Sequence, residues 1–297
     1  NPFHLGGLFS VFNSDAIERA ELFAGGFSAD FGGRVSSVLN IESRKDVPNG
    51  FQFNGGVSML ATRLLLRAPL PDAIESALGL QNGSWFVSGR RSYFDQILRP
   101  IAEFPYHLSD VQIYATGNTA RGGRLSLTGY IGADVLDLSN LGLSDGGAAD
   151  VLRVRWNWGN QLLGLTWTQP LPGGWLLDSR LGVSRFADRL SFVDFGDVDF
   201  RSRIDQLVAR GDVSRELAQG LELRLGLAAE RIDHENLAEA GGTTFFASDG
   251  PGLLGAGHVS FRWRPSSWWI VEPGVRVDAW RARDATRSVV SPRFAVK

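Results

Sequence analysis

From residue 51 onward the sequence is a succession of segments, each about ten residues long, in which apolar and polar side chains alternate. The clearest begins at Leu221. Leu221, Leu223, Leu225, Leu227 and Ala229 share one parity; Glu222, Arg224, Gly226, Ala228 and Glu230 share the other. Successive side chains of a strand point to opposite faces, so this segment makes a strand with one oily and one charged face. Leu177, Leu181 and Val183 oppose Asp178, Arg180 and Ser184 in the same way. So do Trp269, Val271, Val275 and Val277 against Glu272, Arg276 and Asp278.

The pattern predicts twelve strands, near 51–59, 61–68, 83–91, 111–118, 123–133, 160–169, 175–186, 203–216, 221–233, 256–264, 268–281 and 288–297. Short connections carry turn residues: ARGG at 120–123, PLPGG at 170–174, LAQG at 217–220 and RPSS at 264–267. Longer connections are expected near 92–110, 134–155, 187–202 and 235–255. Alternation of tight turns with long loops is the mark of a transmembrane barrel. The segment 92–108 departs from the strand pattern and predicts a short helix ending near Arg99 and Pro100, since proline disfavours helix in the residue before it.

The tryptophans fit that architecture. Trp167, Trp175, Trp263, Trp268 and Trp269 flank the short turns, Trp85 opens a strand, and Trp156, Trp158 and Trp280 lie near the long-loop ends. A barrel in a bilayer carries such rings in girdles at headgroup level, where an amphipathic indole is most stable.

Before the barrel pattern comes FSVFNSDAIERAELFAGGFSADFGGRVSSVLNIESR, residues 9–44. It predicts two strands, 17–23 and 35–43, joined by a glycine-rich connection. This stretch resembles the end of the plug domain of TonB-dependent outer-membrane receptors. The matching positions are Phe12 and Asn13, Glu21, Gly25, Gly26 and Phe27, Phe31 to Arg34 with Gly32 and Gly33, Ser36 and Ser37, and Asn40 to Arg44. Ser88 to Tyr93 and Ser291 to Phe294 resemble barrel segments of the same family.

The resemblance implies an all-β chain: residues 1–44 as the C-terminal part of a plug, 45–50 as a linker (KDVPNG), and 51–297 as the first part of an antiparallel up-and-down barrel. A barrel of this family has about twenty-two strands, so these twelve make a fragment whose first and last strands are left as open edges. The implied place is the bacterial outer membrane, with outer-membrane lipid around the barrel. The implied partners are a small nutrient ligand (a siderophore, cobalamin, glycan or peptide), the inner-membrane TonB complex that pulls the plug, and a surface lipoprotein.

Composition narrows the alternatives. The net charge is −2, whereas a nucleic-acid binder usually shows a basic excess. There is no cysteine, which removes thiolate metal sites, disulfides and thiol nucleophiles. No apolar run reaches the roughly 18 residues of a spanning helix. His4, His107, His234 and His258 show no metal-ligand spacing, and neither a nucleophile elbow nor a phosphate loop is present. The reading is therefore a non-enzyme without cofactor. Asp194, Asp197 and Asp199 form the only calcium candidate, at a spacing that misses the established calcium loop.

On the charged parity, Glu222, Glu230 and Glu272 are candidates to hold the plug. Arg34 is expected to reach one of them or Glu21, because an unpaired and partly desolvated guanidinium is costly. A passive channel or adhesin barrel fits the strand pattern equally well; the plug-like stretch is what speaks for energy-coupled uptake.

Overall fold

The structure, a computed structural model, describes residues 3–4, 9–10, 16–23, 28–33, 37–97, 105–138, 153–192, 197–282 and 285–297. Two small antiparallel pairs come first: β1 (Phe3–His4) with β2 (Phe9–Ser10), and β3 (Ile17–Phe23) with β4 (Val38–Ser43). Twelve strands follow: β5 (Gln52–Val57), β6 (Ala61–Pro69), β7 (Leu80–Ser92), β8 (Tyr106–Thr119), β9 (Arg124–Asp137), β10 (Val154–Leu171), β11 (Trp175–Phe192), β12 (Val198–Ala218), β13 (Leu221–Ala240), β14 (Thr243–Ser266), β15 (Trp269–Ala282) and β16 (Ala285–Val296). They form one antiparallel sheet in which every strand pairs with its sequence neighbours. All twelve expected strands are present, in order. β5 and β16 are the two edges of the sheet, which does not close among the described residues.

The short turns fall where the sequence put them. Gly173 and Gly174 both take positive φ (76° and 77°), a region open to glycine at little cost. Two helical turns sit in the connections. α1 (Asp72–Leu78) follows β6; it was not foreseen, and Gly79 ends it in the left-handed conformation. α2 (Phe94–Ile97) is the first part of the helix expected after residue 92; Arg99 and Pro100 lie outside the described residues.

The expected loops at 187–202 and 235–255 are corrected. Most of the first and all but residues 241–242 of the second are strand. Gly241 and Gly242, at φ 54° and 78°, close the β13–β14 hairpin as a two-residue turn.

The strands run long because the polarity of their faces exchanges along their length. We call inner the face against which His4, Ala16 and the turn at residues 29–32 pack. On β11 the outer parity reads Leu177, Leu181, Val183 and then Arg185, Arg189. The inner parity reads Asp178, Arg180, Ser184 and then Phe186, Leu190. On β12, outer Val213 and Leu207 give way to Asp205, Arg203 and Arg201, while inner Asp212 and Arg210 give way to Ile204 and Phe200. On β13, outer Leu221 to Leu227 give way to Arg231, Asp233 and Glu235. The outer face is therefore apolar near the short turns and charged toward the loops.

The exposed apolar part is extensive: Leu227 is 73 % exposed, Ile131 61 % and Leu181 55 %. In water so large a patch is a liability, whereas hydrocarbon solvates it. Among the described residues no helix is long and apolar enough to cross a membrane.

Candidate functional site

The inner face near the short turns is built from strands that each carry a cation and a carboxylate two residues apart. Such pairs lie on the same side of a strand and meet directly. Arg180 donates to Asp178 at 2.9 Å, Arg210 to Asp212 at 2.5 Å, Arg224 to Glu222 at 2.9 Å and Arg276 to Asp278 at 2.9 Å. Cross-strand register brings these pairs together: Asp178, Asp212, Gly226, His258 and Arg276 are successive neighbours in one row. A side chain at Gly226 would run into Asp212 and the His258 ring, so glycine is what lets His258 approach Asp212, at 3.6 Å.

Into this charged row comes the turn formed by residues 28–31, closed by the Phe31 N–H donating to the Ser28 carbonyl at 3.2 Å. Arg276 donates to the carbonyl of Ala29 at 3.3 Å and to that of Asp30 at 3.4 Å. Arg210 meets the Asp30 carboxylate at 3.8 Å and places its guanidinium 6.0 Å from the centre of the Phe31 ring. Gly274 gives the turn its space: a Cβ there would lie 2.9 Å from the Ala29 methyl. Gly32 is packed against Arg276 itself. Ala29 and Arg276 are both almost wholly buried. The arginines thus serve two partners each, a wall carboxylate and the turn, and their planar forks suit that double duty.

Two further contacts hold the N-terminal segment. Ala16 packs in an apolar cluster with Leu65, Phe86 and Tyr114, and its carbonyl accepts from the Arg44 N–H at 3.0 Å. His4 is 1 % exposed and sits between two wall carboxylates. Its Nδ1 lies 2.7 Å from Asp134 and its Nε2 3.4 Å from Asp110. Tyr106 donates to Asp134 at 2.5 Å, and Arg90 to Asp110 at 2.5 Å. Burial alone lowers the proton affinity of His4; the hydrogen bonds and charges of Asp110 and Asp134 more than offset it, and the His4 pKa is raised. Between β4 and β5, Asp46 accepts from Arg67 of β6 at 2.6 Å, and that bond holds its carboxyl below the ordinary value.

The residues singled out in the sequence are distributed as follows. Gly25, Gly26, Phe27, Arg34 and Asp194 lie outside the described residues, so the Arg34 contact is not seen. Gly32 and Gly33 are described, Gly32 against Arg276 and Gly33 at φ 66°. Glu21 pairs with Arg19 on its own strand.

Glu222, Glu230 and Glu272 have inner parity, but their partners are wall residues. Arg224 donates to Glu222, Gln206 to Glu230 at 2.6 Å, and Lys297 to Glu272 at 2.8 Å. Asp199 pairs with Arg189 at 2.6 Å, Asp197 takes positive φ (54°), and no cluster of metal-ligating side chains occurs among the described residues.

Trp167, Trp175, Trp263 and Trp269 have outer parity at the turn ends, where Trp85 joins them, and Trp268 is 85 % exposed in the last turn. Trp156, Trp158 and Trp280 correct the expectation of a second ring. All three have inner parity, and Trp158 is buried against Tyr106.

Sequence reasoning missed Arg210, Asp212, His4, Asp110 and Asp134. The short spacing of Arg210 and Asp212 was a usable signal. His4 offered none, since its partners lie 130 residues and more than a hundred residues away.

Toward the loops, the inner face is aromatic. Trp156 and Trp158 lie 4.4 Å apart, Trp158 and Tyr106 6.2 Å, and Phe94, Leu108, Leu136 and Phe186 pack around them. Trp156, 40 % exposed, shows its ring to the interior. The wall has two zones, charged where the turn at residues 28–31 docks and aromatic from Tyr106 and Trp158 toward the loops, with the His4 site beside Tyr106 at the edge of the aromatic zone.

The sequence matches no protein-family model and no curated protein. Solved structures do match. FpvA of Pseudomonas aeruginosa, bound to heterologous pyoverdines, aligns at a TM-score of 0.68 and 12 % identity, over 98 % of this chain and 45 % of that one. The FrpB iron transporter of Neisseria meningitidis aligns at 0.69 and 10 % identity, over 97 % and 51 %. The alcaligin outer-membrane receptor FauA of Bordetella pertussis aligns at 0.60 and 12 % identity, over 95 % and 46 %. The chain spans about half the length of these structures. At such identities the likeness is one of architecture: this chain has the fold of the TonB-dependent outer-membrane receptors.

Proposed function

We propose that this chain is part of a bacterial outer-membrane receptor that takes up a scarce nutrient by energy-coupled transport, with residues 1–44 as the lumen-held plug and 51–297 as barrel wall. One observation carries the reading: the turn at Ala29 and Asp30 is clamped by Arg210 and Arg276, from strands far later in the chain, to the inner face of a sheet whose outer face is apolar. A passive channel gains nothing from filling its own interior. The tryptophans at the turn ends serve as the interfacial girdle on one side of the membrane. The charged outer belt from Arg185 to Arg203 stands above the bilayer.

The ligand class we favour is a metal-chelate with an aromatic or apolar surface, a ferric siderophore being the first choice. Two features support it: the inward indole of Trp156 over Trp158, and the iron-related ligands named for the similar structures. Energy coupling through the TonB complex follows from the same reading.

The test is uptake by cells carrying the receptor as their sole route, offered a panel of ferric siderophores, cobalamin and glycans. The expected result is saturable uptake of a ferric siderophore that stops when TonB is deleted. Uptake that persists without TonB makes the barrel a passive channel. Saturable uptake of cobalamin or a glycan alone overturns the ligand choice.

A further inference from the structure

The His4 site is chemically unlike the other contacts of the N-terminal segment. It is buried, it joins β1 to the wall, and charged and titratable groups face it from three strands among the described residues. Arg90 comes from β7, Tyr106 and Asp110 from β8, Tyr130 and Asp134 from β9. Asp110, Asp134 and His4 are each within a few per cent of complete burial.

With the ring doubly protonated, the site holds two cations, His4 and Arg90, against two carboxylates, and is neutral. Without that proton it holds one cation against two carboxylates, and an uncompensated buried charge is expensive. Hydrogen-bond roles point the same way. Carboxylates only accept, so both ring nitrogens must donate to satisfy Asp134 and Asp110 together, which only the imidazolium can do. In the neutral ring Nε2 becomes an acceptor. Tyr130, whose hydroxyl lies 3.3 Å from it, then replaces Asp110 as its partner.

We infer that His4 is a proton-dependent anchor: its doubly protonated ring fixes the N-terminal segment to the inner wall, and loss of the proton releases one of its two carboxylate bonds and loosens the segment. The raised pKa agrees in sign. A group whose pKa is raised by its folded surroundings contributes fully below its ordinary value of 6.5 and loses that contribution as pH rises through the raised value. The anchor therefore holds in acid and slackens in alkali. This rests on the reading of residues 1–44 as a plug.

The experiment uses the whole receptor in lipid nanodiscs. Imidazole NMR titration, with His4→Gln to assign the resonance, is expected to place His4 above 6.5. Amide exchange of residues 3–10, corrected for the intrinsic rate, is expected to quicken about tenfold between about pH 6 and about pH 9. That change disappears in His4→Gln, and His4→Lys, a permanent cation, holds the segment throughout. Should either variant fail to fold, the wild-type titration and exchange decide alone. Titration of His4 at or below 6.5, or exchange that does not change with pH, overturns the anchor. Uptake is scored separately: absence of uptake with the titration intact removes the receptor reading and leaves the anchor standing.

Discussion

Arg276 of β15 donates a hydrogen bond to the carbonyl oxygen of Ala29, 247 residues earlier in the chain, at 3.3 Å. The guanidinium is held in place from behind by Asp278, and the carbonyl belongs to a turn with no regular strand to satisfy it. Arg276 is therefore the point where wall electrostatics and the backbone of the N-terminal segment meet.

Replacing Arg276 with alanine leaves Asp278 without its cation and the turn without its donor. The expected cost is about 3 kcal/mol, the usual penalty for breaking a buried pair on one side. If the chain works as proposed, passive leak of small solutes through the inserted protein should rise. Arg276→Lys should fall between, because lysine lacks the fork that serves two partners. A leak equal to wild type in Arg276→Ala, with the protein inserted, counts against the clamp.

Gly274 tests the same contact by volume instead of charge. A Cβ there meets the Ala29 and Ser260 Cβ atoms at 2.9 Å and the Val259 carbonyl at 3.0 Å. Gly274→Val should displace the turn and cost about 1–3 kcal/mol, as overpacking does. Faster amide exchange at residues 28–32 is the readout, and unchanged exchange refutes the close fit.

The exchange of polarity between the two faces predicts where the bilayer ends on β11. Leu181→Arg should destabilise the folded protein in lipid by about 2–4 kcal/mol. Arg185→Ala, one turn of the alternation beyond Val183, should leave unfolding in lipid unchanged. Equal effects at the two positions would place the boundary elsewhere.

Asp46 and Arg67 give a pH dependence of opposite sign to that of His4. The Asp46 pKa is depressed, so its contribution is present above the ordinary value of 3.8 and is lost as pH falls through the depressed one. The carboxylate is 58 % exposed, so solvent screens the pair, and Asp46→Asn should cost less than about 1 kcal/mol at neutral pH. A larger loss, or one that persists at about pH 3, would mean that Asp46 acts through something other than its charge.

The strands were legible because alternation has a single structural meaning once one face is oily. Leu221, Leu223, Leu225 and Leu227 declare strand, face and parity with no help from the rest of the chain. Their upper ends were not legible. At Arg185, Asp205 and Arg231 the outer face leaves hydrocarbon for water, the oily parity turns charged, and a reading that tracks oil loses the strand although the backbone pairing continues to Phe192 and Ala240. Trp156 and Trp158 were misread for the same reason. A tryptophan near a loop marks an interface only if its parity is outward, and beyond the boundary the inner face is the apolar one.

What sequence alone determined is the local and periodic part: twelve strands in order, the short turns set by glycine and proline, the oily face, and a glycine-rich segment ahead of them. Each depends on residues within about ten positions of one another, where pleat and turn geometry act directly. The contacts that join the N-terminal segment to the wall were decided only by tertiary structure. His4 finds Asp110 and Asp134, and Ala29 finds Arg276, because the meander carries β8, β9 and β15 to positions facing that segment. Many inner-face carboxylates and arginines have the same local pattern, and only the three-dimensional register chooses among them.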